Sequence, residues 1–100
     1  MNKTIVYLTF SHLKNKKFKV IIDGKTINFG QKGFSDFILT KNPEQKHRYI
    51  TRHSGMNENW SKSGLKTAGF WSRWLLWNKP SLKDSIKDME KRFNLKIYTF

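Results

Sequence analysis

Basic side chains dominate the chemistry that this sequence can offer. The chain carries 20 lysines and arginines against 7 acidic residues, a formal net charge of +13. Such an excess repels itself, and a bound polyanion would relieve that repulsion. Nucleic acid is the commonest biological polyanion, and a strongly basic small domain meets the first criterion for binding it. The composition therefore predicts a polyanionic partner, with nucleic acid as the first choice.

The cations fall into two clusters that suit phosphate contacts. One lies at the entry to a predicted hairpin, and the other lies on a predicted surface helix, where Arg48 and Arg52 share one face and can grip adjacent phosphates. Each such contact would release counterions and make binding steeply salt-dependent. The candidate nucleic-acid-binding residues are Lys14, Lys16, Lys17, Lys46, Arg48, Arg52, His53, Trp60, Lys62 and Lys66.

Trp60 has two interpretations. It lies in a segment rich in Asn, Ser and Gly, near Lys62 and Lys66. A tryptophan there can stack on a base while neighbouring cations hold the phosphate backbone. It can equally anchor the loop by covering the edge of the core, which is the commoner role of such a residue and is slightly favoured here.

Catalytic chemistry has little support in the sequence. His47 and His53 lie six residues apart and so do not share a helix face. Adding Glu58 or Asp36 would give a His/carboxylate site of the kind a metal-dependent nuclease uses. The turn Gly30–Gly33 lacks the Lys-Ser/Thr and the following helix of a phosphate-binding loop. We expect no catalytic residue, no cofactor and no metal site.

The absence of certain residues and segments narrows the class of protein. There is no cysteine, hence no disulfide framework and no thiolate zinc site. No apolar run approaches the ~20 residues that span a bilayer. The first ten residues are too short and too polar at their flanks for a signal peptide. We expect a protein that is neither secreted nor membrane-bound.

A tight hairpin is the clearest local prediction. Asp23-Gly24 separates two runs rich in β-branched residues, and a type I′ turn needs positive φ at both central positions. The implied register places Phe18 opposite Phe29 and Val20 opposite Ile27. Since the other face of this hairpin is largely polar, the hairpin should cover a core on one side only. Further strands are predicted at Thr4–Phe10 and Leu95–Phe100.

Three helices are predicted to complete the domain. Thr67–Trp77 presents a broad aromatic arc, and its three tryptophans are expected to face the core of a central helix. Ser81–Phe93 has one apolar stripe and nearly balanced charges, as in a structural helix. Asn42 and Pro43 cap and start a surface helix that runs to about His53. The segment 34–40 is expected to be a short strand or irregular.

These elements predict an α+β fold. The chain of 100 residues is expected to form one small compact basic domain over residues 1–100. A β-hairpin and one or two further strands would pack against a layer of about three helices, with the tryptophan helix at the centre.

Several stretches resemble a known group of proteins. They are GKTINFG, FSDF, RYITRH, ENW, TAGFWSRWLLWNKPSL and SIKDMEKRF, between Lys17 and Ile97. They resemble small basic proteins of unknown function encoded by giant nucleocytoplasmic large DNA viruses. The resemblance implies a viral source and a location in the host cytoplasm, the viral factory or the virion. Because that group has no established activity, the resemblance implies no catalytic residue.

The leading hypothesis is a non-enzymatic nucleic-acid-binding protein. Sequence-independent binding of double-stranded DNA, or condensation of a viral genome, is favoured, and RNA remains an alternative ligand. The second hypothesis is a structural or assembly protein of the virion whose basic face binds acidic protein partners. A metal-dependent nuclease ranks third. The link from giant-virus genomes to the net charge of +13 rests on analogy.

Overall fold

A mixed four-stranded sheet is the frame of the molecule. The computed structural model describes residues 2–99. The strands are β1 (Thr4–Phe10), β2 (Lys16–Ile22), β3 (Lys25–Gln31) and β4 (Leu95–Thr99), in the spatial order β3-β2-β1-β4. β1 and β2 are antiparallel, β2 and β3 are antiparallel, and β4 runs parallel to β1. The predicted α+β class is therefore confirmed.

The helices lie between β3 and β4 in the chain. They are α1 (Phe37–Thr40), α2 (Pro43–Ser54), α3 (Ala68–Trp71) and α4 (Leu82–Phe93), with a 3₁₀ turn at Lys62–Gly64 and a π turn at Ser72–Leu76. Since parallel strands need a long crossover, this helical stretch is what returns the chain from β3 to pair beside β1. None of the helices within residues 2–99 combines the length and the apolar character that crossing a membrane would need.

The predicted hairpin is confirmed in turn and register. Asp23 and Gly24 both have positive φ, 51° and 77°. Phe18 pairs with Phe29 and Val20 pairs with Ile27. The aspartate tolerates the left-handed region better than most residues, and the glycine meets no Cβ penalty there.

Local capping explains where the two long helices begin and end. Asn42 lies immediately before Pro43, and its side-chain oxygen accepts hydrogen bonds from the Glu44 and Gln45 N–H groups. The helix α2 ends at Ser54. The Ser81 hydroxyl accepts from the Asp84 N–H, and Asn94 ends α4 in the left-handed region at φ 56°. Both helices thus follow their predicted bounds because their start and stop signals are local.

Residues 34–40 were predicted to form a short strand or an irregular segment, and this is wrong for the second half of the segment. Phe37–Thr40 forms the one-turn helix α1. Asp36 caps it by accepting from the Leu39 N–H at 2.9 Å, and Lys41 closes it in the left-handed region. An aspartate cap and tertiary packing of the buried Phe37 outweigh the weak propensity of this short segment.

The tryptophan segment departs from the single regular helix that was predicted. Thr67 caps it as expected, but α3 ends at Trp71 and the chain widens into the π turn, where Trp77 N–H donates to Ser72 O at 3.1 Å. The extra residue in the turn rotates the later side chains relative to the first turn. Trp71 is fully buried, whereas Trp74 and Trp77 are only partly buried at the rim of the core.

One face of the sheet packs against the helices and forms the core. Trp71 stands over Phe29, with ring centroids 6.1 Å apart, and its indole N–H donates to Leu65 O at 2.7 Å. The buried core comprises Val6, Leu8, Val20, Ile22, Ile27, Phe29, Leu65, Phe70, Trp71, Leu75, Leu76, Met89, Phe93, Leu95 and Ile97. The opposite face of the sheet is exposed and carries Ile5, Tyr7 and Tyr98. Phe100, the last residue of the predicted closing strand, lies outside the described residues.

Candidate functional site: a basic cleft

A cleft of about 310 Å³ opens where the far end of the β2–β3 hairpin meets α2 and the π turn. It brings together some residues of the two predicted basic clusters, which lie more than 30 positions apart in the sequence. The basic side chains that line it are Lys16, Lys17, Arg52 and His53. Its other polar lining residues include Asp36, Glu58 and Ser72. This is the place in the described chain where the predicted hairpin-entry and helix residues share one surface.

Lys17 is already paired inside the molecule. Its ammonium lies 2.6 Å from Asp36 Oδ2 and donates to Phe34 O at 2.7 Å. The pair borders the basic cleft on one side and an apolar groove of about 330 Å³ on the other, between Phe10, Phe18 and Leu39. Lys17 thus has its charge compensated and serves as a wall of the cleft.

His53 and Glu58 lie close together in the wall of the cleft. His53 Nδ1 lies 3.4 Å from Glu58 Oε2, and the His53 ring stacks on Tyr49 with centroids 4.2 Å apart. Trp60 Nε1 donates to the same carboxylate oxygen at 3.1 Å. Burial, reinforced by the negative charge of Glu58, raises the pKa of Tyr49 well above its ordinary value. The Tyr49 hydroxyl therefore stays protonated and neutral at physiological pH.

The Glu58 carboxylate lies close to the backbone of Gly69. A Cβ added to Gly69 would lie 2.8 Å from Glu58 Oε1, nearer than side chains normally come. The glycine in α3 thus leaves the space that the carboxylate fills. The sequence offered no periodic or spacing signal for this contact, because residues 58 and 69 meet only through the packing of the loop on α3.

Trp60 contacts the π turn through Arg73 and Trp74. Its carbonyl accepts from Trp74 Nε1 at 2.8 Å, and the Arg73 guanidinium lies 5.5 Å from its ring. The same guanidinium is 4.3 Å from the Trp74 ring, as in a cation–π contact. Burial lowers the pKa of Arg73, with repulsion from Arg92 adding to it. These contacts favour the loop-anchor interpretation of Trp60.

Three other predicted phosphate ligands lie away from the cleft. Lys46 donates to Asn78 O at 2.6 Å, and burial, followed by the positive charge of Arg73, lowers its pKa. Lys66 lies 3.1 Å from Asp23 in an exposed ion pair. Lys62 is exposed on the 3₁₀ turn. The structure thus separates these residues from the cluster formed by the hairpin entry and α2.

Further exposed cations lie close in sequence to the residues that line the cleft. Lys14 is exposed in the loop before β2, and Lys32 follows β3, where its N–H donates to Asn15 O at 3.0 Å. Sequence reasoning treated Lys32 only as part of a turn; its position directly after the hairpin strand was the available signal. We call the set Lys14, Lys16, Lys32, Arg48 and Arg52 the basic rim. Lys19, in contrast, points to the opposite face of the sheet, opposite Asn28.

The acidic residues neutralise few of these cations. Within residues 2–99, the lysines and arginines that lie within 4.0 Å of a carboxylate are Lys17, Lys66 and Arg92. No residue of the basic rim is in that set. The rim therefore carries positive charge without an internal counter-charge in the described structure.

The geometry also bears on the nuclease hypothesis. His47 is exposed on α2, and Asp36 is engaged by Lys17, so neither joins the pair of His53 and Glu58. No group of three His, Asp or Glu side chains that could hold a metal ion occurs in the part of the chain that the structure describes.

Comparison with known proteins matches a segment of the chain to a protein family. Neither the curated proteins nor the solved structures contain a significant match to this chain. The matched segment runs from β1 to the end of α2, so it includes the basic rim and stops before Glu58 and the tryptophan segment. Over residues 6–53 the chain is similar to a family of unknown function, DUF5754.

Proposed function

We propose that this protein binds nucleic acid without catalysis, and that the basic rim holds the phosphate backbone. The observation that carries the proposal is that the fold brings Lys16 and Arg52 to one cleft, with Lys14, Lys32 and Arg48 exposed on the same three chain segments. None of the five is paired with a carboxylate in the described structure. Like charges brought together cost free energy unless a polyanion shares the surface. A repeating array of phosphates is the ligand that matches this arrangement.

The chemistry of the rim favours backbone contacts over base readout. Arg48 and Arg52 stand one helical turn apart and both are exposed. Arginine binds phosphate through two parallel N–H bonds, and lysine acts as a point charge. Backbone contacts position a protein on a duplex but carry no sequence information. We therefore favour sequence-independent binding of double-stranded DNA. In the setting that the viral resemblance implies, the ligand would be the viral genome.

The test is a salt titration with a matched control. Labelled duplex DNA is titrated with the parent protein, with Arg48→Ala/Arg52→Ala and with Lys83→Ala/Lys87→Ala. The control pair also removes two exposed cations spaced four residues apart, but from α4. We expect the arginine variant to bind about tenfold more weakly, with a plot of log affinity against log salt shallower by about 2. The lysine variant should bind nearly as well as the parent.

Four outcomes would overturn the proposal. Absence of duplex and single-strand binding at low salt would remove nucleic acid as the ligand. Equal losses in the two variants would show that net charge, rather than the rim, drives binding. Strand cleavage that depends on added metal and is lost in His53→Ala would replace binding with nuclease activity. If an acidic polypeptide such as polyglutamate binds where DNA does not, the assembly hypothesis takes precedence.

A further inference from the structure

The exposed face of the sheet carries an ordered set of aromatic and basic side chains. Tyr98, Tyr7 and Ile21 are direct neighbours across β4, β1 and β2. The two tyrosine rings are stacked, with centroids 5.7 Å apart and an interplanar angle of 23°. Each tyrosine keeps 45% of its surface exposed. The pair therefore offers a broad aromatic surface on the side of the sheet opposite the core.

Cations flank this aromatic pair on both sides. Lys96 lies opposite Ile5, and its ammonium is 5.4 Å from the Tyr98 ring centroid. Lys19 lies in the next row, between Thr9 and Asn28. All four strands lack aspartate and glutamate. The face is thus aromatic at its centre, positive beside it and free of acidic side chains from the strands.

We propose that this face binds single-stranded nucleic acid, with bases stacked on Tyr7 and Tyr98 and phosphates held by Lys19 and Lys96. Unpaired bases stack on aromatic side chains displayed by a sheet, and neighbouring cations hold the backbone. A duplex cannot use such a surface, because its bases are already stacked and paired. The site is separate from the basic rim and does not depend on it.

The charges on the face argue against a second copy of the chain as its occupant. Two copies packed through this face would bring Lys19 and Lys96 of each copy together, in a protein of net charge +13. No acidic residue on the strands is available to compensate them. A polyanion, in contrast, supplies the missing charge along with flat rings for the tyrosines.

The experiment compares two ligands and two substitutions at the same positions. Anisotropy of a labelled 12-nucleotide oligothymidylate and of a labelled hairpin duplex is measured for the parent, Tyr7→Ala/Tyr98→Ala and Tyr7→Phe/Tyr98→Phe. We expect the alanine variant to lose about tenfold or more in affinity for the single strand. The phenylalanine variant, which keeps the rings, should stay within about twofold of the parent, since stacking needs no hydroxyl. Duplex binding should be unchanged in both.

Circular dichroism shows whether the alanine variant is folded. If that variant does not fold, a second measurement on the parent protein still tests the proposal. The ring-proton resonances of Tyr7 and Tyr98 are followed in the parent protein as the oligothymidylate is added. Shifts that saturate with the anisotropy curve support the proposal. Resonances that stay fixed at saturation overturn it, as does unchanged single-strand affinity in a folded alanine variant.

The remaining outcomes also decide between the two sites. A concentration-dependent dimer that the alanine substitutions abolish would assign the face to a second copy and overturn the proposal. Both sites are supported if duplex binding is lost only in Arg48→Ala/Arg52→Ala and single-strand binding is lost only in Tyr7→Ala/Tyr98→Ala. Failure of the parent to bind duplex defeats the basic rim alone, and the tyrosine measurements still decide this face.

Discussion

The Lys17 ammonium lies 2.6 Å from the Asp36 carboxylate and joins β2 to the first turn of α1. Asp36 is only 3% exposed, and its second oxygen caps α1 through the Leu39 N–H. The carboxylate therefore has two separable tasks, one electrostatic and one conformational. A lysine that its sequence neighbours suggest as a phosphate ligand is instead part of the framework that shapes the cleft.

Substitution of Asp36 should separate these two tasks. Asp36→Asn keeps a capping oxygen but leaves the Lys17 charge unpaired, which we expect to lower the free energy of unfolding by about 2–4 kcal/mol. Asp36→Ala also removes the cap and should cost about 1 kcal/mol more. Urea unfolding followed by circular dichroism measures both.

The exposed ion pair of Asp23 and Lys66 supplies the control for that comparison. Asp23→Asn removes the same charge from a solvated pair, and we expect a loss of less than about 0.5 kcal/mol. Equal effects of Asp36→Asn and Asp23→Asn would show that the burial of the first pair has no energetic consequence.

Asp88 should make stability depend on pH in the acid range. Burial acts to raise the pKa of Asp88, but hydrogen bonds from Arg92 and Asn78 outweigh it and leave the pKa below the ordinary value of 3.8. A depressed pKa in the folded state contributes stability above the unfolded-state pKa, and this contribution is lost as the pH falls through the folded-state pKa.

The corresponding measurement compares the parent with Asp88→Asn across pH. We expect the variant to be about 1 kcal/mol less stable at pH 7. The gap should narrow progressively below about pH 4 as Asp88 of the parent becomes protonated. A gap that stays constant from pH 7 to pH 2 would contradict the assignment of this pH dependence to Asp88.

Gly64 should be essential to the loop that carries Trp60. A Cβ at Gly64 would overlap the Asn59 carbonyl, and a backbone atom cannot move aside as a flexible side chain can. We expect Gly64→Ala to cost about 3 kcal/mol, at the upper end of overpacking effects. Thermal unfolding provides the measurement.

Gly55 is the matched control for that substitution. A Cβ there would lie 3.8 Å from Arg52 O, an ordinary contact, and its φ of −88° suits any residue. Gly55→Ala should change stability by no more than about 0.5 kcal/mol. A comparable loss in the two variants would point to a general intolerance of alanine in this loop rather than to the Asn59 contact.

Trp60→Phe should separate an anchoring role from a ligand-stacking role. The substitution keeps an aromatic ring and the backbone carbonyl that Trp74 uses, but removes the hydrogen bond to Glu58. We expect a loss of about 1 kcal/mol in stability. DNA affinity, measured by anisotropy on the folded variant, should stay within about twofold of the parent. A larger loss of affinity at unchanged stability would instead assign Trp60 to the ligand.

The helix ends and the hairpin were predictable because their causes are local. A type I′ turn follows from Asp23-Gly24, and the bounds of α4 follow from Ser81 and Asn94, each within a few residues of the backbone it controls. The helix α1 was missed because its stability comes from Asp36 and from burial of Phe37 against distant residues. The π turn was missed because hydrophobic periodicity over ten residues does not resolve one extra residue in a turn.

The composition alone determined that the protein carries a large positive charge. The spacing of the aromatic residues predicted that Thr67–Trp77 packs on the core, and Trp71 lies fully buried there. The choice of which cations act together was left to the tertiary structure. The fold brings Lys16 and Arg52 to one cleft, while the alternation of β2 sends Lys19 to the other face. Charge is a property of the residues themselves, but a binding surface depends on which residues the fold brings together and which of them its few carboxylates already neutralise.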